Sequence, residues 1–78
     1  MEIRDTILQI LKDMHADIDF ETETSLVGDK LLDSFDLVSL VSELSDAFDV
    51  KIAAKDFIQE NFDSLDRLTN LIERLLED

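Results

Sequence analysis

Asp33-Ser34-Phe35-Asp36-Leu37-Val38-Ser39-Leu40-Val41-Ser42-Glu43-Leu44-Ser45-Asp46-Ala47-Phe48 is the stretch whose periodicity decides the fold. Turned through about 100° per residue, Leu37, Leu40, Val41, Leu44 and Phe48 fall on one face, as in an amphipathic helix. Asp33 and Ser34 open it. Either can cap it, because a short side-chain oxygen accepts an orphan backbone N–H of the first turn. Ser39, Ser42, Glu43 and Asp46 fall roughly opposite the apolar stripe. So does Phe35, and Val38 sits at the boundary between the faces. A phenylalanine outside the core phase of its helix requires a separate reason.

Reading outward toward the N-terminus, Ile3, Ile7, Leu8, Ile10, Leu11 and Met14 recur at helical spacing and predict a helix over roughly 2–15. Residues 16–33 lose that period and form a polar connection with isolated apolar anchors at Ile18 and Phe20 and a glycine at Gly28. Connections this long are functional or contain a short helical turn of their own. Toward the C-terminus, Asp49-Val50-Lys51-Ile52 reads as a connector with inward-pointing apolar residues. A short helix is expected within 53–61, anchored by Phe57 and Ile58. Ser64 or Asp63 caps the last helix, whose stripe is Leu65, Leu68, Leu71, Ile72, Leu75 and Leu76. The pattern specifies an all-α four-helix bundle, three helices long and one short, with a long loop between helices 1 and 2.

The 78 residues are read as one domain over 1–78, with no repeat and no linker. So short a chain buries a thin core, worth a net stability of about 3–5 kcal/mol. The 45% hydrophobic content supplies that core, and no cysteine is present to staple it or to ligate a metal. Zero proline and one glycine agree with helices.

Enzyme constellations fail. His15 is the one imidazole, beside the apolar stripe of the first helix, and has no nucleophile with an oriented base around it. It reads as a surface or partly packed residue. The carboxylates are spread over exposed faces, with no acid–base pair among them. An EF-hand loop counted from Asp17 would place Thr22 and Gly28 where glycine and glutamate are needed, so no metal site is expected.

The net charge of −13, from 20 acidic and 7 basic residues, argues against nucleic acid and anionic lipid as partners. It favours proteins with basic docking patches, unless the charge only keeps a small domain soluble. No signal segment and no membrane span are visible, so a cytoplasmic address is the expectation.

Ser34 opens a helix after a long exposed connection, where a large partner can reach it. The partial positive charge and unpaired N–H groups of a helix N-terminus would tolerate an added phosphate. The bland reading makes Ser34 a cap and nothing more. At this point the residues resemble a known family. Asp33-Ser34-Phe35-Asp36-Leu37-Val38, followed by Leu40-Val41, is similar to the attachment motif of the acyl carrier proteins, whose Asp-Ser-Leu opens the second helix. Phe48-Asp49-Val50-Lys51-Ile52 resembles the family's helix end and connector, and Ser64-Leu65-Asp66-Arg67-Leu68 its capped last helix. Nearly the whole chain is covered.

The resemblance implies that Ser34 is coupled by a phosphopantetheinyl transferase to 4′-phosphopantetheine taken from coenzyme A, the transferase supplying metal and base. Asp33 would help the transferase recognise the site. Cargo would ride on the arm's thiol as a thioester. Phe35, in place of the family's leucine, would touch partners beside the arm, with Val38 extending the contact. Asp36, Glu43 and Asp46 would meet basic patches on loading ligases and downstream synthases. The chain would be a monomer acted on by other enzymes.

Several positions depart from the fatty-acid carriers. Ser39 stands in place of a common glutamate, Ala53 in place of a common proline, and Leu31-Leu32 in place of glycine and a small residue. Leu-Leu-Asp-Ser-Phe is also similar to D-alanyl and other aminoacyl carriers, which an adenylating ligase loads. Three readings follow: an acyl carrier, an aminoacyl carrier, and a non-covalent acidic interaction module in which Ser34 only caps. For a long acyl cargo, Leu40, Val41, Leu44 and Ile58 are expected to line a pocket that opens on demand.

Overall fold

The computed structural model describes residues 3–77. Among them the regular elements are all helical: α1 (Ile3–Met14), α2 (Ser34–Phe48), α3 (Gln59–Phe62) and α4 (Leu65–Glu77), with a 3-10 turn at Ala54–Asp56. Three helices are long and one short, and the long connection follows α1, as expected. Residue 2, expected in the first helix, lies outside the described residues.

The apolar periods set the packing. Ile7 and Leu11 of α1, Leu40 and Leu44 of α2, and Leu65, Leu68, Leu71 and Ile72 of α4 are fully buried in one cluster. Each set recurs at three- and four-residue spacing, so each helix turns one stripe inward. α1 packs against both α2 and α4, and α3 packs against α4. Leu37, Val41 and Phe48 complete the predicted face of α2 as half-buried margins. Leu76, in the last turn of α4, is half-exposed.

The long connection is pinned at three places. Phe20, Leu26 and Leu32 are buried, while Ile18 is only partly so. Asp63, from the far end of the chain, holds the middle. Its Oδ1 accepts the N–H groups of Val27 and Gly28, both at 3.0 Å. Its carbonyl accepts the Leu26 N–H at 2.7 Å, and the Leu26 carbonyl in turn accepts the N–H groups of Leu31 and Leu32. The departure Leu31-Leu32 thus has a packing reason, since Leu32 closes the core immediately before Asp33. With Asp63 occupied in this way, Ser64 caps α4, its Oγ accepting the Arg67 N–H at 3.1 Å.

The short third helix differs from the expectation. Phe57 and Ile58 are not its anchors: they are 45% and 50% exposed, and Phe62, at 1%, is the buried residue. The stretch breaks into two pieces because Ile58 adopts an extended backbone (φ −119°, ψ 152°) between the 3-10 turn and α3. That break turns Phe57 and Ile58 outward. Phe57 keeps one edge-on contact with Phe62, at 5.3 Å between ring centres.

α2 ends on Asp49, which is left-handed (φ 52°, ψ 48°) and donates its N–H to the Ser45 carbonyl. A Cβ is unfavourable in that conformation, and a carboxylate is unfavourable beside the negative end of a helix dipole. Asp49→Gly removes both penalties and is expected to stabilise the chain by about 1 kcal/mol. A higher urea midpoint with an unchanged slope would show it.

Candidate functional site

The first turn of α2 is built by Asp33, not by Ser34. Asp33 has extended backbone geometry (φ −95°, ψ −178°) and is the N-cap. Its Oδ1 accepts the Asp36 N–H at 2.8 Å, and the Asp36 carboxylate accepts the Asp33 N–H at 3.2 Å. This reciprocal pair is a capping box made of two aspartates. Ser34 is therefore the first residue inside the helix, and the reading in which it serves as the cap does not hold. Its side chain is exposed, and its hydroxyl has no hydrogen-bond partner among the described residues.

The backbone beside that hydroxyl is also unspent. A helix leaves its first N–H groups without intrahelical acceptors. The Asp33 side chain takes the one at Asp36, and the Asp33 carbonyl takes the one at Leu37. The N–H groups of Ser34 and Phe35 have no acceptor among the described residues. A phosphodiester on the Ser34 oxygen would lie at the positive end of α2, next to two available donors. The residues present fit such a group.

Phe35 is 78% exposed and Val38 64%. Both lie in the first turns of α2, as the helical phase places them. Glu43 and Asp46 are exposed two turns further on, about 14–18 Å along the axis from Ser34. They do not join the serine; they border a groove against Asp5, Gln9 and Ile10 of α1. Asp36 differs from the outward-facing group that the sequence suggests. Its carboxylate is engaged at home, by the Asp33 N–H and by His15, whose Nε2 lies 2.8 Å from Oδ2, and its side chain is 19% exposed.

Burial pushes the Asp36 carboxyl up. The hydrogen bonds from His15 and from the Asp33 N–H, with the attraction of His15, outweigh burial and hold it below the usual carboxylate range. A folded-state value below the unfolded 3.8 means a contribution to stability that is complete above 3.8 and lost as the pH falls through the lower folded value. The stability gap between wild type and Asp36→Asn is expected to narrow as urea titrations are taken below pH 3.8.

One feature near the serine escapes sequence reasoning. Val38, Val41, Ile52, Ala53, Ala54 and Phe57 line an apolar groove of about 220 Å³. Val38 and Val41 follow Ser34 by four and seven residues, which puts the groove on the serine's own side of α2. A second, smaller cleft adjoins it across Phe57, with Leu37, Ile58 and Phe62 among its walls. Of the four pocket residues the sequence suggests, Val41 lines this groove and Ile58 the adjoining cleft, while Leu40 and Leu44 are fully buried in the core; Ala53, Ala54 and Phe57 come from an irregular segment without a period.

Among the described residues, no group of three or more His, Asp or Glu side chains is placed to hold a metal ion. No helix among them is long and apolar enough to cross a membrane. Comparison with curated proteins and with solved structures returned no match. The profile of the family described as "Phosphopantetheine attachment site" matches residues 2–72. The chain therefore belongs to that family of carrier proteins: a non-catalytic carrier that a phosphopantetheinyl transferase modifies with 4′-phosphopantetheine on a serine.

Proposed function

We propose that Ser34 is the serine that bears the arm, and that the chain carries acyl groups between separate enzymes of fatty-acid or specialised lipid or polyketide synthesis. One observation carries this reading. Ser34 is exposed and free of any capping duty, and an apolar groove begins one turn away on its own side of the helix. The Ser34 oxygen would hold the arm, with the Ser34 and Phe35 N–H groups beside its phosphate. When attached, the arm supplies a terminal thiol on which cargo is held as a thioester.

Asp33 shapes the turn and leaves its exposed carboxylate next to the serine, where a transferase meets it. Phe35 and Val38 offer apolar contact around the arm. Glu43 and Asp46 offer charge to loading ligases and synthases with basic patches, whereas Asp36 contributes mainly through the cap. Exposed pairs of this kind are worth under about 1 kcal/mol each, which suits brief visits.

The groove also bears on cargo. At about 220 Å³ it is smaller than the roughly 300–1,000 Å³ of sites that enclose drug-sized ligands. A short chain fits as the groove stands, and a longer one has to part Leu40 from its neighbours. The test is to load the phosphopantetheinylated protein with a medium-length acyl group or with D-alanine and to compare methyl chemical shifts. Acyl loading is expected to move Val38, Val41 and Ile52, and D-alanyl loading to leave them in place. Unmoved methyls under both cargoes would remove the support for an acyl carrier and return the aminoacyl reading to the lead.

A further inference from the structure

The turn that presents Ser34 is braced in three ways, and they differ in what they fix. The bonds between Asp33 and Asp36 fix the shape of the turn. Both partners lie within it, so these bonds leave its position on the bundle open. Leu32 and Leu40, buried on either side, anchor the chain by apolar burial, which is non-directional. Among the described residues, one side-chain hydrogen bond ties residues 33–36 to another element, and it comes from His15.

His15 is well placed to transmit position. It follows the end of α1, and its N–H continues the helix by donating to the Leu11 carbonyl at 2.9 Å. Leu11 is fully buried. The imidazole Nε2 then meets Asp36 Oδ2 at 2.8 Å. An ionised carboxylate can only accept, so Nε2 is the donor. The same Asp36 Oδ2 accepts the Asp33 N–H. A directional path therefore runs from the buried face of α1 through His15 and Asp36 to the residue before Ser34.

We propose that His15 is a positioning residue for the modification of Ser34, fixing where the serine hydroxyl stands on the bundle by holding the Asp36 carboxylate. This rests on Ser34 being the attachment residue. In the reaction, the Ser34 oxygen bonds to the phosphorus bearing the pantetheine of coenzyme A. The pyrophosphate P–O bond breaks, adenosine bisphosphate leaves, and the serine proton passes to the transferase. Reaction at an in-line phosphorus is sensitive to the placement of the attacking oxygen. His15 touches neither reactant. It limits the range of positions from which the oxygen attacks.

The test is the kinetics of transferase modification of the full chain, followed by intact mass at several carrier concentrations, with coenzyme A and magnesium present. His15→Ala is expected to lower kcat by about fivefold with KM unchanged. His15→Gln keeps an N–H donor and is expected to restore kcat nearly to wild type. In an Asp36→Ala background, His15→Ala is expected to cost nothing further. Circular dichroism confirms that each variant is folded at the assay temperature, and His15→Leu replaces His15→Ala if the latter is not.

The proposal is overturned by a rise in KM with kcat intact, which would make His15 a direct transferase contact. It is equally overturned by unchanged kinetics, by a His15→Gln variant as slow as His15→Ala, or by additive losses in the double variant. Failure of the Ser34 reading looks different: the wild type gains no mass, or Ser34→Ala still gains it.

Discussion

Phe62→Ala is expected to leave a chain that is largely unfolded at room temperature, while Phe57→Ala, five residues earlier, folds. Phe62 is 1% exposed in the core cluster, and truncating a buried phenylalanine costs about 3–5 kcal/mol. A chain this short holds only about that much net stability, so the loss is comparable to the whole. Phe57 is 45% exposed and gives up chiefly its edge-on contact with Phe62, worth about 1 kcal/mol. Helical circular dichroism and urea titration of the two variants separate them. The opposite order of damage would show that Phe57 is the anchor, as the bare sequence suggests.

Ser34→Ala is expected to end modification completely and to leave stability almost untouched. The serine is the first residue within α2 and caps nothing, and surface changes away from such features stay within about 0.5 kcal/mol. Asp33→Ala is the informative counterpart. It removes the N-cap oxygen that holds the Asp36 N–H, at a cost of about 1 kcal/mol, and leaves the serine hydroxyl in place. The pair dissociates stability from chemistry. Thermal unfolding registers the second substitution, and end-point intact mass, which a slowed transferase still reaches with Asp33→Ala, registers the first. A stability loss in Ser34→Ala as large as that of Asp33→Ala would restore the serine to a capping role.

Much of this was legible in the sequence because long helices declare themselves by period. The inward stripes of α1, α2 and α4 repeat over three to four turns, and Phe35 and Val38 fall off the stripe of α2 by the same arithmetic. The cap was legible too, though less plainly. Asp33 has an acidic residue three positions on, at Asp36, as a capping box requires, whereas Ser34 has Leu37. That spacing alone favours Asp33.

What escaped lies in irregular segments or between distant residues. Between Ile52 and Asp63 no element completes enough turns to show a phase, so Phe57, Ile58 and Phe62 could not be ranked by periodicity. The extended backbone at Ile58 decides among them, and nothing local announces it. Asp63 clasps Val27 and Gly28 across 36 and 35 residues of sequence, and His15 reaches Asp36 across 21. Neither pairing leaves a trace in local spacing. The groove beside Ser34 joins a helix face to the 3-10 turn and becomes visible only once both are in place.

The most direct test of the central claim is the intact mass of the purified chain after incubation with coenzyme A, magnesium and a broad-specificity phosphopantetheinyl transferase, read beside Ser34→Ala. The account predicts a gain of one phosphopantetheinyl unit in the wild type and none in the variant. It is contradicted if the folded wild type gains nothing while a known carrier is modified in parallel, or if Ser34→Ala gains the same mass.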